Sequence, residues 1–273
     1  MIEAASTGGS GLSFVAGTAL KAVARLWFLM AVVGQWAFVY YIVRFYGGTA
    51  VQGDFEAWNK ILAGGYVAGE PVGNVILAAH LLLAAIITVG GSLQLVPQIR
   101  ARALPFHRWN GRLYIVTAFA ISIAGLYLVW TRGTVGGIAL HVGISLNGVL
   151  ILICAATAWR YALARDIVAH RRWALRTFVL VSGVWFFRVG FMLWIFLNQG
   201  PVGHTEDFQG PFDIFWAFAC YLLPLAVLEI YLRTQDRAGA LGRFAMAAGL
   251  LVLTAGMGVG IFMATMLMWL PRA

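Results

Sequence analysis

Long apolar runs separated by short polar connectors dominate this chain. A helix that crosses the hydrocarbon of a bilayer needs about 20 apolar residues. Stretches of that kind lie at roughly 24–46, 73–96, 106–131, 135–160, 170–198, 213–233 and 243–270. The pattern predicts an all-α integral membrane protein with about seven transmembrane helices and one membrane domain over residues 24–270. Residues 1–23 precede it as a tail, with 1–10 expected to be disordered and Leu12 to Val23 an interfacial helix leading into the first span. No Lys or Arg stands ahead of that stretch, so the charged start of a cleaved signal peptide is missing.

Composition strengthens the pattern. The chain is 62% hydrophobic and 11% charged, against about 25% charged in a soluble domain. Nearly all of its length is used by the spans, which excludes a separate soluble catalytic domain. The net charge of +9 could suggest nucleic acid, but the basic residues lie in short connectors, where they set orientation and meet lipid. Cys154 and Cys220 fall inside apolar stretches and predict neither a disulfide framework nor a zinc site.

The connectors alternate in character. Lys21 and Arg25 precede span one. Arg100, Arg102, Arg108 and Arg112 surround the turn between spans two and three. Arg160, Arg165, Arg171, Arg172 and Arg176 surround the turn between four and five, and Arg233, Arg237 and Arg243 the turn between six and seven. The opposite connectors hold Arg44, Lys60, Arg132 and Arg272 beside most of the acidic residues. The positive-inside rule then expects a bacterial inner-membrane protein with a cytoplasmic N-terminus and a periplasmic C-terminus.

Trp27, Trp130, Trp159, Trp194 and Trp269 are expected at the interfaces. Gly90-Gly91 and Gly136-Gly137 read as close-packing positions, or as room for a flat cofactor. Arg108-Trp109-Asn110-Gly111-Arg112 resembles Arg172-Trp173-Ala174-Leu175-Arg176. This weak repeat predicts two tandem helix hairpins, spans two–three and four–five, forming a four-helix core over about residues 73–198.

The candidate chemistry rests on His80, His107, His141 and His170, one on each core span. His80 and His141 are expected roughly 10 Å below the outer surface. His107 and His170 mark the first turns of the alternate spans. His80 can then face His141, and His107 can face His170. Haem iron accepts two axial imidazoles, and helix bundles build such sites from facing helices. Packing or headgroup contact is the bland alternative for each. His204, in an acidic loop, is expected to be exposed. Arg188 lies inside span five and is expected to meet either a haem propionate or polar groups such as Asn147. Glu229 is expected to pair with Arg112 or Arg176, and Gln35, Gln94 and Asn147 to bond between helices.

The stretches from Ala79-His80 to Gln94, Leu104-Pro105-Phe106-His107-Arg108-Trp109-Asn110-Gly111-Arg112-Leu113-Tyr114, and His170-Arg171-Arg172-Trp173 to Arg188 carry a resemblance over about residues 75–235. They resemble a family of predicted bacterial integral membrane proteins, a domain of unknown function. One His on each of four consecutive helices is also similar to the two-haem cytochromes of the transmembrane reductase type. That resemblance implies His80 and His141 at an outer haem b and His107 and His170 at an inner one. The sequence therefore predicts a membrane electron carrier, a transmembrane oxidoreductase in enzymatic terms. It would work with lipid and a quinol or a redox partner protein, and without nucleic acid. The alternatives are a metal-dependent seven-helix membrane hydrolase, and a transporter or accessory subunit without haem. No broken-helix pattern supports transport.

Overall fold

The structure is a computed structural model that describes residues 4–273, with side chains from Gly11. Among the described residues it is helical, without strands. Six long helices, Gly11–Val51, Pro71–Gln94, Leu104–Arg132, Gly137–Leu163, Pro211–Arg237 and Ala240–Arg272, are long and apolar enough to cross a membrane. The pair Ile167–Val181 and Gly183–Asn198 supplies a seventh crossing. These are spans one to seven, with the bent pair as span five. Only 22–33% of the apolar window of each long helix is buried within the protein. The remainder is large apolar surface, such as Leu29, Val33, Leu82 and Val252, which is stable only against lipid.

Two expectations at the N-terminus change. Residues 1–3 lie outside the described residues, and from Ala4 the backbone is already helical and runs unbroken to Ile42. Leu12 to Val23 therefore belongs to span one rather than to a separate interfacial helix. Span one and span seven each carry a π-helical turn shortly before their ends, Val43–Gly47 and Thr265–Trp269.

Spans two, three, four and five form the expected core. Span two packs on three, three on four, and four on the Ile167–Val181 half of five. Phe178 of span five reaches back to Gly91 of span two, where a Cβ would stand 3.3 Å from its ring and 2.8 Å from Tyr114. Gly91 therefore serves close packing, not a flat cofactor. Gly136 and Gly137 instead make the positive-φ turn that opens span four. Span six closes the core against four and five, and spans one and seven pair along the Gly183–Asn198 half of five.

The tandem repeat is visible in three dimensions. Arg112 lies over the Trp109 ring at 4.9 Å, and Arg176 over Trp173 at 4.6 Å. Each is a cation–π contact one turn along the entering helix. The interhelical amides behave as expected. Gln94 donates to the His107 carbonyl at 2.8 Å, Asn147 to the Leu180 carbonyl at 3.2 Å, and Gln35 to the Ser182 hydroxyl at 2.9 Å.

Span five departs from the continuous helix expected over 170–198. It breaks at Ser182 with a bend of 55°. The cause is local. The Ser182 hydroxyl donates back to the Phe178 carbonyl at 2.8 Å. At Gly183 a Cβ would lie 2.8 Å from the Asn147 amide. A Ser-Gly pair is a recognised kink site, and the carbonyl it frees is capped by Asn147.

Candidate functional site

Each of the four core histidines sits where its span meets a neighbour. His80 lies against span three, beside the Ile121 carbonyl, and a Cβ at Gly125 would be 3.2 Å from its ring. Its Nδ1 is buried without a hydrogen-bond partner. His141 also faces span three, edge-on to Trp130 at 5.7 Å and beside Gly133. His80 thus touches span three at Gly125, and His141 touches the turn that follows it at Gly133.

His107 and His170 lie at the same end of the bundle. They begin spans three and five at the arginine-rich face, within electrostatic range of each other and, for His107, of Arg100. The His170 ring is fixed by a bond between Nδ1 and the Ala158 carbonyl at 2.9 Å. A carbonyl only accepts, so Nδ1 carries a proton and, in the neutral ring, Nε2 is the nitrogen with the lone pair. His141 is oriented the same way, through the Gly137 carbonyl at 2.6 Å. The His107 Nδ1, like that of His80, is buried and unpartnered. The inner pair thus joins one oriented imidazole to one with an unused nitrogen. Among the described residues no three His, Cys, Asp or Glu side chains converge on a point.

The arginines around this pair are not equivalent. Arg176 and Glu229 form the expected ion pair, with bonds of 2.6 and 2.9 Å. Arg172 grips Asp236 at 2.6 and 2.7 Å. Arg100 pairs with no described carboxylate. Arg100 is exposed and lies within electrostatic range of His107, and a planar guanidinium is suited to a carboxylate.

Arg188 is turned away from the four-helix core. Its guanidinium lies over Phe38 of span one at 5.2 Å and donates to the Val184 carbonyl at 3.1 Å. Neither Asn147 nor any described carboxylate is its partner.

His204 was expected in solvent and is instead enclosed. Its Nδ1 donates to Asp213 at 2.7 Å, and its ring stands edge-on to Phe191 at 4.9 Å and Phe208 at 4.7 Å. Asp213 is 2% exposed. A carboxylate so buried requires donors, and the Thr205 and Gly210 amides supply two more at 3.0 and 3.1 Å. The signal was present in the sequence as Gly210-Pro211-Phe212-Asp213, an acid in the first turn of a Pro-initiated helix. Trp269 stands near the end of span seven. It is 2% exposed, in the core shared by spans one and seven.

A family model described as a predicted membrane protein (DUF2306) matches residues 77–232. That segment holds all four core histidines, the break and Glu229. No curated protein and no solved structure matches the chain.

Proposed function

The chain belongs to the DUF2306 family of predicted membrane proteins, and on that premise we propose that it is a haem-binding electron carrier of a bacterial inner membrane. The observation that carries the reading is the inner pair. His170 presents Nε2 because its Nδ1 is held by the Ala158 carbonyl, and His107 lies within its electrostatic range. Ligating histidines commonly use such a second bond to fix tautomer and ring direction.

His107 and His170 would hold a haem b, which needs two imidazole ligands rather than three. Such a group, when bound, supplies one-electron transfer. The chain's own residues would do the rest. His107 and His170 would bind, Ala158 would orient His170, and Arg100 would neutralise a propionate. His80 and His141 remain candidates for a second haem. Arg188 faces Phe38, and its neighbours lend no support to the propionate role expected from its sequence position.

The basic connectors favour a cytoplasmic position for the His107–His170 end and for the N-terminus. Electrons would then enter or leave through a quinol or a redox partner protein. Among the described residues the hydrolase alternative lacks the three converging ligands that a catalytic zinc needs. A transport reading has one observation in its favour, the broken span five, since transporter sites are often built at discontinuous helices. Absorption spectroscopy of purified protein and of its histidine variants separates the readings.

A further inference from the structure

Arg132 ends span three, yet its side chain is only 5% exposed. The chain makes room for it. A Cβ at Gly73, in the first turn of span two, would lie 2.8 Å from the guanidinium carbon. A Cβ at Gly64, where φ is +66°, would lie 2.6 Å from the Arg132 carbonyl oxygen. The guanidinium donates to the Gly65 carbonyl, to Asn74 Oδ1 at 2.8 Å and to Glu70 Oε2 at 3.4 Å. Asn74 is itself fixed by the Val67 amide and carbonyl, at 3.0 and 2.8 Å. The guanidinium is therefore held in one place, and these bonds use three of its five donors.

Beside it Glu70, Val72, Gly73, Tyr127, Thr131 and Arg132 line a cavity of about 300 Å³, at the small end of the range for ligand sites. Its walls differ in chemistry. Glu70 is 59% exposed and meets Arg132 only at 3.4 Å, so its carboxylate has accepting capacity left. The Thr131 hydroxyl donates its proton to the Tyr127 carbonyl at 2.8 Å, which leaves its oxygen able to accept. Val72 and Tyr127 are exposed near the ends of their spans, where charged and apolar groups together face lipid. The cavity thus combines one fixed cation, one carboxylate and a second acceptor with an apolar rim.

We infer that this cavity binds the head group of a phosphatidylethanolamine-type lipid, a phosphate diester that carries a primary ammonium. The ammonium donates to Glu70 and to the Thr131 oxygen. The phosphate accepts from the Arg132 guanidinium, whose planar donors suit phosphate oxygens. The acyl chains leave over Val72 and Tyr127 into the bilayer. A phosphatidylglycerol head group lacks the cation and brings an anion to Glu70. A phosphatidylcholine head group has the cation but no N–H to donate. The site lies at the other end of span three from His107, and its occupation requires no haem.

The test follows thermal unfolding of full-length protein in detergent as phosphatidylethanolamine, phosphatidylglycerol or phosphatidylcholine is added. Phosphatidylethanolamine should raise the midpoint saturably, and at lower concentration than the other two. Glu70→Gln removes the carboxylate and should weaken the fitted affinity about fivefold. Val72→Trp obstructs the apolar rim and should weaken it at least as much. Both positions are exposed, so both variants should unfold like wild type without lipid. Arg132 stays unchanged because it also holds the connector. Glycerophosphoethanolamine, the head group without chains, should have no effect at the same concentrations. No saturable phosphatidylethanolamine effect, or an equal affinity for either other lipid, overturns the inference. Unchanged affinity in both variants overturns it as well. A glycerophosphoethanolamine shift as large as the lipid's overturns it in favour of a soluble zwitterion. If one variant unfolds early, the comparison of lipids on wild type and the other variant still decides.

Discussion

Arg176 holds Glu229 through two bonds, Nε to Oε1 at 2.6 Å and Nη2 to Oε2 at 2.9 Å, joining spans five and six inside the membrane domain. Neither side chain is more than 32% exposed. Truncating one partner of such a pair leaves the other charge unpaired, at about 2–5 kcal/mol. Glu229→Gln should therefore lower the thermal midpoint in detergent, and Arg176→Leu with Glu229→Leu together should recover much of the loss. Equal midpoints for wild type and Glu229→Gln would mean that the pair contributes nothing measurable.

The loop between spans five and six is held by Asp213. Asp213→Ala removes the acceptor of three donors, the His204 ring and the Thr205 and Gly210 amides. The expected cost is about 1–3 kcal/mol per buried group left unpaired. Protease should cut residues 200–210 faster in the variant. The loop should also respond to acid. The Thr205 hydroxyl, with Gln209, holds the Asp207 carboxyl below its ordinary value of 3.8. A lowered folded-state pKa stabilises above the ordinary value and ceases to do so as pH falls through the lowered one. Cleavage should stay slow above pH 3.8 and rise below it.

The break in span five predicts an asymmetry between neighbours. Gly183→Val places side-chain atoms where the Asn147 amide would be 2.8 Å from a Cβ. Overpacking of this kind costs about 1–3 kcal/mol. Val184, exposed one residue further on, should accept Ala with little effect. Thermal unfolding of the two variants compares them directly. A Gly183→Val protein as stable as wild type would mean that the bend does not depend on this close approach.

Much of the architecture was legible from hydropathy, because every span must satisfy its backbone internally and present apolar side chains to lipid. The Arg176–Glu229 pair and the three amide bonds were legible too, since polar groups at span depth require partners. Other features depend on contacts that composition does not encode. Ser182-Gly183 is a short interruption in an apolar run, and only the approach of Asn147 turns it into a break. His204 looks like a loop residue until Asp213, nine residues later, folds beneath it. Trp269, near the end of its span, is buried in the protein against Phe38, a contact that the sequence does not show. The contacts of His80 with Gly125 and of His141 with Gly133 also depend on packing that residue counting does not show.

The positive-inside rule predicts the orientation from the basic connectors. Single cysteines at 97–105, 161–169 or 234–242 should resist a membrane-impermeant thiol reagent added from the periplasmic side, and cysteines at 200–210 should react. Labelling of 161–169 from that side would reverse the orientation and put the His107–His170 end in the periplasm.

If His107 and His170 share an iron, the absorption spectrum of the detergent-purified protein should show a Soret band and, on reduction, the sharp visible band of a haem with two imidazole ligands. His107→Ala and His170→Ala should each remove that component, while a correctly folded His141→Ala protein retains it. A colourless wild-type protein purified from haem-sufficient cells would contradict the claim, as would unchanged haem content in both the His107→Ala and His170→Ala proteins.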